Sequence, residues 1–255
     1  MRARSLVVGL LAGAATVFAG VGTASADDPG VTPMIVGGGD ADQTYSFMVS
    51  LQDGGSHFCG GSLISADWVL TAAHCVEGTA PESVGLRIGS NEYASGGEEA
   101  QAAEIIVHEG YDGVSAGNDI ALVRLAAPAT SAPVAMAGDA PVGTASRLLG
   151  WGQTCPEPGG CGAPDFLQQL DVSVLDAGDC TGIDGALELC TSNPGGSAGA
   201  CYGDSGGPQI VGDGSSWQLI GVTSRSGNGD STCATGPSIY TDATAYADWI
   251  AQHTG

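Results

Sequence analysis

Short apolar or alternating runs, each bounded by turn formers, recur along most of the chain. SFMVSLQ (46–52) alternates up to the glycines Gly54 and Gly55. GGSLIS (60–65), WVLTAAH (68–74), AAEIIVHE (102–109), DIALVRL (119–125) and SRLLGWG (146–152) follow. LQQLDVSVL (167–175), WQLIGVTS (217–224) and PSIYTD (237–242) complete the set. Runs of this length, rich in β-branched residues and punctuated by Gly, Pro, Asn and Asp, predict strands. Helical periodicity is confined to TDATAYADWIAQH (241–253) near the end. There Tyr246, Trp249 and Ile250 share one face, and Thr241 or Asp242 stands at the N-cap. The strands gather roughly in 35–145 and 146–240, which predicts an all-β chain of two barrels with a C-terminal helix.

The first 34 residues break this pattern. Arg2 and Arg4 precede an apolar run over 6–21, and Ala24, Ser25 and Ala26 form a small-residue cleavage site. That order predicts a secretory signal peptide over 1–26. A membrane anchor is the competing reading; the run is short and rich in Gly and Ala, which disfavours it. DDPGVTPM (27–34) has no periodicity and predicts a pro-segment, with a frayed tail as the plain alternative. The mature domain then spans 35–255.

Charge narrows the partners. The net charge is −22, and all six basic residues are arginines. Such a surface repels phosphate backbones, so nucleic acid is excluded as a partner. No later segment is long and apolar enough to predict a membrane span. Eight cysteines in an exported chain predict disulfides among Cys59, Cys75, Cys155, Cys161, Cys180, Cys190, Cys201 and Cys233. Eight cysteines allow 105 pairings, so spacing leaves the connectivity open. No C-x-x-C pair points to zinc.

The candidate chemistry starts at Ser205 in GDSGGP. A serine hydroxyl is a poor nucleophile without a base, and flanking glycines let the backbone turn and aim N–H groups at a developing oxyanion. Of the four histidines, His74 in VLTAAHCV follows an apolar strand and adjoins a cysteine that can lock its loop. His57, His108 and His253 read as surface or packing histidines. Asp119 opens an apolar strand, where an ionised carboxylate needs a partner; it is the candidate to orient His74, with a turn residue as the plain alternative.

IVGG (35–38), TAAHC (71–75), NDIAL (118–122) and GDSGGP (203–208), in this order, resemble the trypsin/chymotrypsin-like serine proteases. The resemblance runs from Ile35 to the C-terminus. It implies two six-stranded antiparallel β-barrels, no cofactor, and a secreted endopeptidase that acts on protein or peptide substrates. Monomeric state and binding by protein inhibitors of such proteases belong to the same expectation. The resemblance assigns the nucleophile to Ser205, the base to His74 and its orienting carboxylate to Asp119. It places the oxyanion hole at the N–H groups of Gly203 and Ser205, and Ser224 against Asp119. It also implies that a cut after Met34 frees the Ile35 amine to pair with Asp204. It pairs Cys59 with Cys75, Cys180 with Cys190 and Cys201 with Cys233; Cys155 and Cys161 are left over and close CPEPGGC. These roles follow the worked triad of this family.

Two positions depart from the family. Arg225 replaces a tryptophan beside the cleft, and Ser90 stands where trypsins begin their calcium loop with glutamate, so no metal is expected. The substrate pocket falls on Gly199, Ala200, Tyr202, Ser224, Arg225, Ser226 and Ser238. Gly199 occupies the place of the trypsin aspartate, which predicts cleavage after large uncharged side chains. The alternatives are acidic specificity helped by Arg225, basic specificity restored by Asp184 or Asp230, esterase action alone, and a catalytically dead homologue that serves as a binding protein.

Overall fold

A computed structural model describes residues 1, 35–113 and 116–255 of the chain. The signal peptide and pro-segment lie outside the described residues, apart from Met1. Two closed six-stranded antiparallel barrels account for most of the rest. The first is built from β2 (Met48–Asp53), β3 (Ser56–Ser65), β4 (Trp68–Thr71), β5 (Gly85–Ile88), β6 (Glu98–Val107) and β7 (Ala121–Leu125), in the order β2-β3-β4-β7-β6-β5. It closes where β2 pairs β5, with Val49 opposite Ile88. Met48, Val49, Leu51, Leu63, Leu70, Ile88 and Leu122 fill it without solvent contact. Removing such side chains from water is the main drive to form it.

The second barrel uses β9 (Ala145–Gly150), β10 (Gln168–Leu175), β11 (Glu188–Thr191), β12 (Pro208–Gly212), β13 (Trp217–Ser226) and β14 (Ser238–Asp242). Its ring runs β9-β10-β11-β14-β13-β12 and returns to β9. Two short strands from the 35–145 segment join this second sheet. β1 (Gly39–Asp40) pairs β10, and β8 (Ala135–Met136) pairs β13 in parallel. The division of the chain near residue 145 is therefore crossed by pairing.

Three strands of the barrels escaped the apolar pattern: β5, β11 and β12, as did the two-residue β1 and β8. β5 has only four residues, and in β11 and β12 buried polar residues hide the period. In β11 and β12, Thr191 donates to Gln209, and Gln209 donates to Ser146. These polar side chains are tolerated inside because they satisfy one another. The run 68–74 is not a strand throughout. It ends at Thr71 and turns into α1 (Ala73–Val76), one turn that carries His74. The C-terminal pattern divides into a 3-10 turn (Ala243–Tyr246) and α2 (Ala247–Thr254). Asp242 is the cap, accepting from the Thr244 N–H at 2.9 Å, while Thr241 is used elsewhere. Tyr246, Trp249 and Ile250 are all buried. Among the described residues, no helix is long and apolar enough to cross a membrane.

Disulfides join Cys59 to Cys75, Cys155 to Cys161, Cys180 to Cys190 and Cys201 to Cys233. The first ties β3 to α1; the last ties the segment before Ser205 to the loop after β13.

Candidate active site

Asp119 stands just before β7 in the first barrel, yet most of its partners come from elsewhere. His74 donates from Nδ1 to Asp119 Oδ2 at 2.8 Å and from its backbone N–H to Oδ1 at 3.0 Å. Ser224 donates to the same Oδ2 at 2.6 Å, and Thr241 donates to the Asp119 carbonyl at 2.8 Å. Ser224 reaches Asp119 because β13 carries a bulge there, between the pairs Thr223 with Tyr240 and Arg225 with Ile239. A bulge re-aims the side chain it carries. Burial pushes the Asp119 carboxyl up, but the His74 and Ser224 donors and the His74 charge hold it below the usual carboxylate range. It therefore stays ionised and fixes one edge of the imidazole.

Ser205 sits on the tight turn between β11 and β12. Its carbonyl accepts from the Gly60 N–H at 2.7 Å, the Gly206 N–H donates to Thr223, and the Gly207 N–H returns to Asp204. Two glycines are obligatory here. Gly206 has φ +76°, and a Cβ would collide with Thr71 Oγ1 and approach the Gly60 carbonyl to 2.5 Å. Gly203 has φ +100° and lies against the backbone of Gly152. A side chain at either position would push the turn off the neighbouring barrel. The N–H groups of Gly203 and Ser205 donate to nothing among the described residues. Ser205 and His74 line the same cavity, and no hydrogen bond joins them among the described residues.

Of the two readings of His57, surface or packing, the second holds: its ring packs on Trp151 and Tyr93, and it also bonds the backbone beside Ser205. Its Nε2 donates to the Gly203 carbonyl at 2.9 Å, and its Nδ1 accepts from the Ser50 hydroxyl at 2.9 Å. Burial pushes its pKa down to about 4, so the ring is neutral and its tautomer is set by these two partners. It thereby fixes the Gly203 carbonyl, one peptide past the Gly203 N–H, whose own peptide is held through the Tyr202 carbonyl by the Gln153 N–H at 2.8 Å. The one clue in the sequence is its place two residues before Cys59, whose bridge partner adjoins His74.

Asp204 is fully buried beside Ser205. Oδ1 accepts from Gly152 N–H and Oδ2 from Cys201 N–H, both at 2.8 Å. Burial outweighs those two donors and raises its pKa to about 6. No cationic side chain pairs with it among the described residues. Ile35 is buried in a cluster with Leu148, Ile220 and Tyr240, and the Tyr240 hydroxyl senses the Asp204 charge.

The cavity beside Ser205 has a volume of about 300 Å³. Ala200, Tyr202, Ser226 and Ser238 line it, and so do Ser224 and Arg225. Gly199 does not line it directly. It lies behind the wall, where a Cβ would sit 3.6 Å from Ser238 Oγ and 3.8 Å from Ala234. Tyr202 donates across to the Ser231 carbonyl at 2.8 Å. Asp230 reaches the lining, but its carboxylate accepts from the Thr232 N–H and the Thr235 hydroxyl. Asp184 is absent from the lining and accepts from Ala186 N–H. Arg225 turns its guanidinium onto Glu188, with both terminal nitrogens on the carboxylate. Glu188 had no signal in the sequence.

The trypsin family model matches residues 35–250. The chain is 36% identical to trypsin epsilon of Drosophila erecta over 236 residues, covering 87% of this chain and 88% of that protein. It is 35% identical to brachyurin of Leptuca pugilator over 236 residues, covering 87% and 99%. The chain belongs to the trypsin family. This trypsin-family protein is accordingly a serine endopeptidase, a hydrolase of protein or peptide substrates, and its double barrel is the fold of that family. Cys59, His74 and Cys75 also bring ligand-type atoms within 4.8 Å of one another. Both sulfurs are joined in the disulfide, so neither offers a thiolate to a metal.

Proposed function

We propose that this is a secreted endopeptidase, made as a zymogen, that cuts after large uncharged side chains. Ser205 Oγ attacks the scissile carbonyl while His74 takes its proton. The tetrahedral oxyanion is held by the Gly203 and Ser205 N–H groups. His74 then protonates the leaving amine, and water resolves the acyl-enzyme by the reverse roles. Asp119 keeps the imidazole oriented and stabilises its cationic form. The observation that carries this reading is the 2.8 Å bond between Asp119 and His74 at the rim of the cavity that also exposes Ser205.

Residues 1–26 direct export and 27–34 are the pro-segment. A cut between Met34 and Ile35 releases an ammonium for Asp204, whose buried carboxylate otherwise has two amide donors among the described residues. The neutral specificity rests on Gly199, which offers no charge, and on the small walls Ala200, Ser226 and Ser238. At Gly199 a desolvated Lys or Arg side chain meets no carboxylate. Asp230 is engaged by its own loop, and Arg225 has its charge offset by Glu188, so neither basic nor acidic specificity is favoured.

Ser205→Ala and His74→Ala should each lower turnover on the order of 10⁴-fold or more. Retention of most activity by Ser205→Ala refutes the assignment and admits the binding-protein reading. Casein digestion separates a peptidase from an enzyme of esters alone. On matched peptides, kcat/KM should favour Phe, Tyr, Leu or Met before the cut; Arg ahead by tenfold, about 1.4 kcal/mol, overturns the neutral pocket.

A further inference from the structure

The segment that delivers Asp119 belongs to the first barrel but is held largely by the second barrel and the C-terminal turn. The Asn118 N–H donates to Tyr246 Oη at 2.7 Å, and the Asp119 carbonyl accepts from Thr241. The Gly117 N–H donates to Glu188 Oε1 at 2.9 Å. The Glu188 side chain has no solvent exposure. Its carboxylate takes four donors: Gly117 N–H, Asp184 N–H at 2.9 Å, Arg225 Nη1 at 2.5 Å and Arg225 Nη2 at 2.9 Å. Four donors match the four lone-pair sites of a carboxylate. Arg225 is fixed at the same time by the Gly182 carbonyl at 2.8 Å, and its Nη1 lies 3.3 Å from Ser224 Oγ. Ser224 is the bulged residue whose hydroxyl donates to Asp119.

We propose that Arg225 and Glu188 act as a pair of positioning residues for Asp119, clamping its loop to the bulged strand that carries Ser224. The pair touches the carboxylate machinery from two sides. Through Gly117 it sets the backbone two residues before Asp119; through Arg225 it sets the strand that presents Ser224. Neither residue contacts the reacting atoms. The arrangement depends on both oxygens of Glu188 being held by a planar guanidinium, which a single ammonium cannot reproduce. Removing Arg225 leaves the buried Glu188, among the described residues, with two amide donors and no cation, and removing Glu188 frees the part-exposed Arg225 from its carboxylate, so each single change opens the clamp. This proposal rests on Asp119 serving the base His74.

The test uses the cut chain beginning at Ile35 and p-nitrophenyl acetate, whose acetyl group is too small to fill the substrate cavity. Rapid mixing separates the acylation rate constant from the apparent binding constant of the ester. Arg225→Met and Glu188→Gln should each slow acylation about tenfold and leave the binding constant within twofold. The double variant should match the singles, because both remove one clamp, instead of multiplying to about a hundredfold. Arg225→Lys should recover part of the rate. If Arg225→Met does not fold, Arg225→Lys carries the measurement, with acylation slowed about threefold. Acylation within twofold of the parent in the folded variants overturns the proposal, as does multiplication of the two single effects. Ser205→Ala run alongside distinguishes the two failures. A dead Ser205→Ala with unaffected Arg225 variants removes the clamp and leaves the triad standing. An active Ser205→Ala removes the triad and the clamp with it.

Discussion

Among the described residues, Asp204 is a buried carboxylate with two amide donors and no cation, and in the uncut chain that has a measurable cost. Burial raises its pKa from 3.8 to about 6. At about 1.4 kcal/mol per pH unit, this converts to about 3 kcal/mol. Between those two values the folded chain binds a proton that the unfolded chain releases. Stability from this group is therefore present below pH 4 and lost as pH rises through 6. Asp204→Asn copies the neutral acid, so in a chain starting at Asp27 the variant and the parent should be nearly equal at pH 4. At pH 7 the variant should be the more stable by about 3 kcal/mol, which is about 6–12 °C in Tm for a domain of this size. Comparing the two at each pH cancels the other titrating groups. Among them is His57, whose depressed pKa runs the opposite way and weakens the fold as pH falls from 6.5 toward 4. In the chain that starts at Ile35 the sign should reverse. The new ammonium then pairs with Asp204, and Asp204→Asn loses both stability at pH 7 and activity. Urea titrations of the four proteins from pH 4 to 7 provide the test. A gap between parent and variant that stays constant across that range in the uncut chain refutes the unpaired buried charge, and full activity of the uncut chain refutes its role in activation.

Two further outcomes follow from the cavity and the turn. Gly199→Asp meets only ordinary contacts at Ser238 and Ala234, so it should fold and give the pocket a carboxylate; a charge-assisted pair of about 1.5–3 kcal/mol should raise the Arg-to-Phe ratio of kcat/KM by roughly 10- to 150-fold, and a ratio unchanged within threefold shows that position 199 does not address the pocket. His57→Gln should lower kcat about tenfold with KM unchanged, because the Gly203 carbonyl, one peptide past the Gly203 N–H, loses its partner; this is less than the roughly 10²–10³ for loss of an oxyanion donor itself, and an unchanged kcat removes His57 from the site.

The strand pattern and the four ordered motifs already point to the double barrel and the family, and they single out Ser205, His74 and Asp119 as the proposed triad. Apolar periodicity and the glycines of GDSGGP are local features, and local features survive in a linear reading. The places where that reading stops have one physical cause: a buried polar group looks like a break in the pattern until its partner is known. β11 and β12 were hidden because Glu188, Thr191 and Gln209 are interior and satisfied only by distant residues. His57 could not be told from a surface histidine before Ser50 and Gly203 were found on either side of it. Gly199 could be placed at the pocket by its spacing from Ser205, but only the packing puts it behind Ser238 and Ala234. Arg225 showed in the sequence as a cation beside the cleft. The folded chain decides what that cation does, since its partner lies 37 residues away on another strand. Periodicity reports which surfaces must leave water; it carries no record of which buried donor meets which acceptor, and that pairing is made only when the strands close into barrels and the barrels meet.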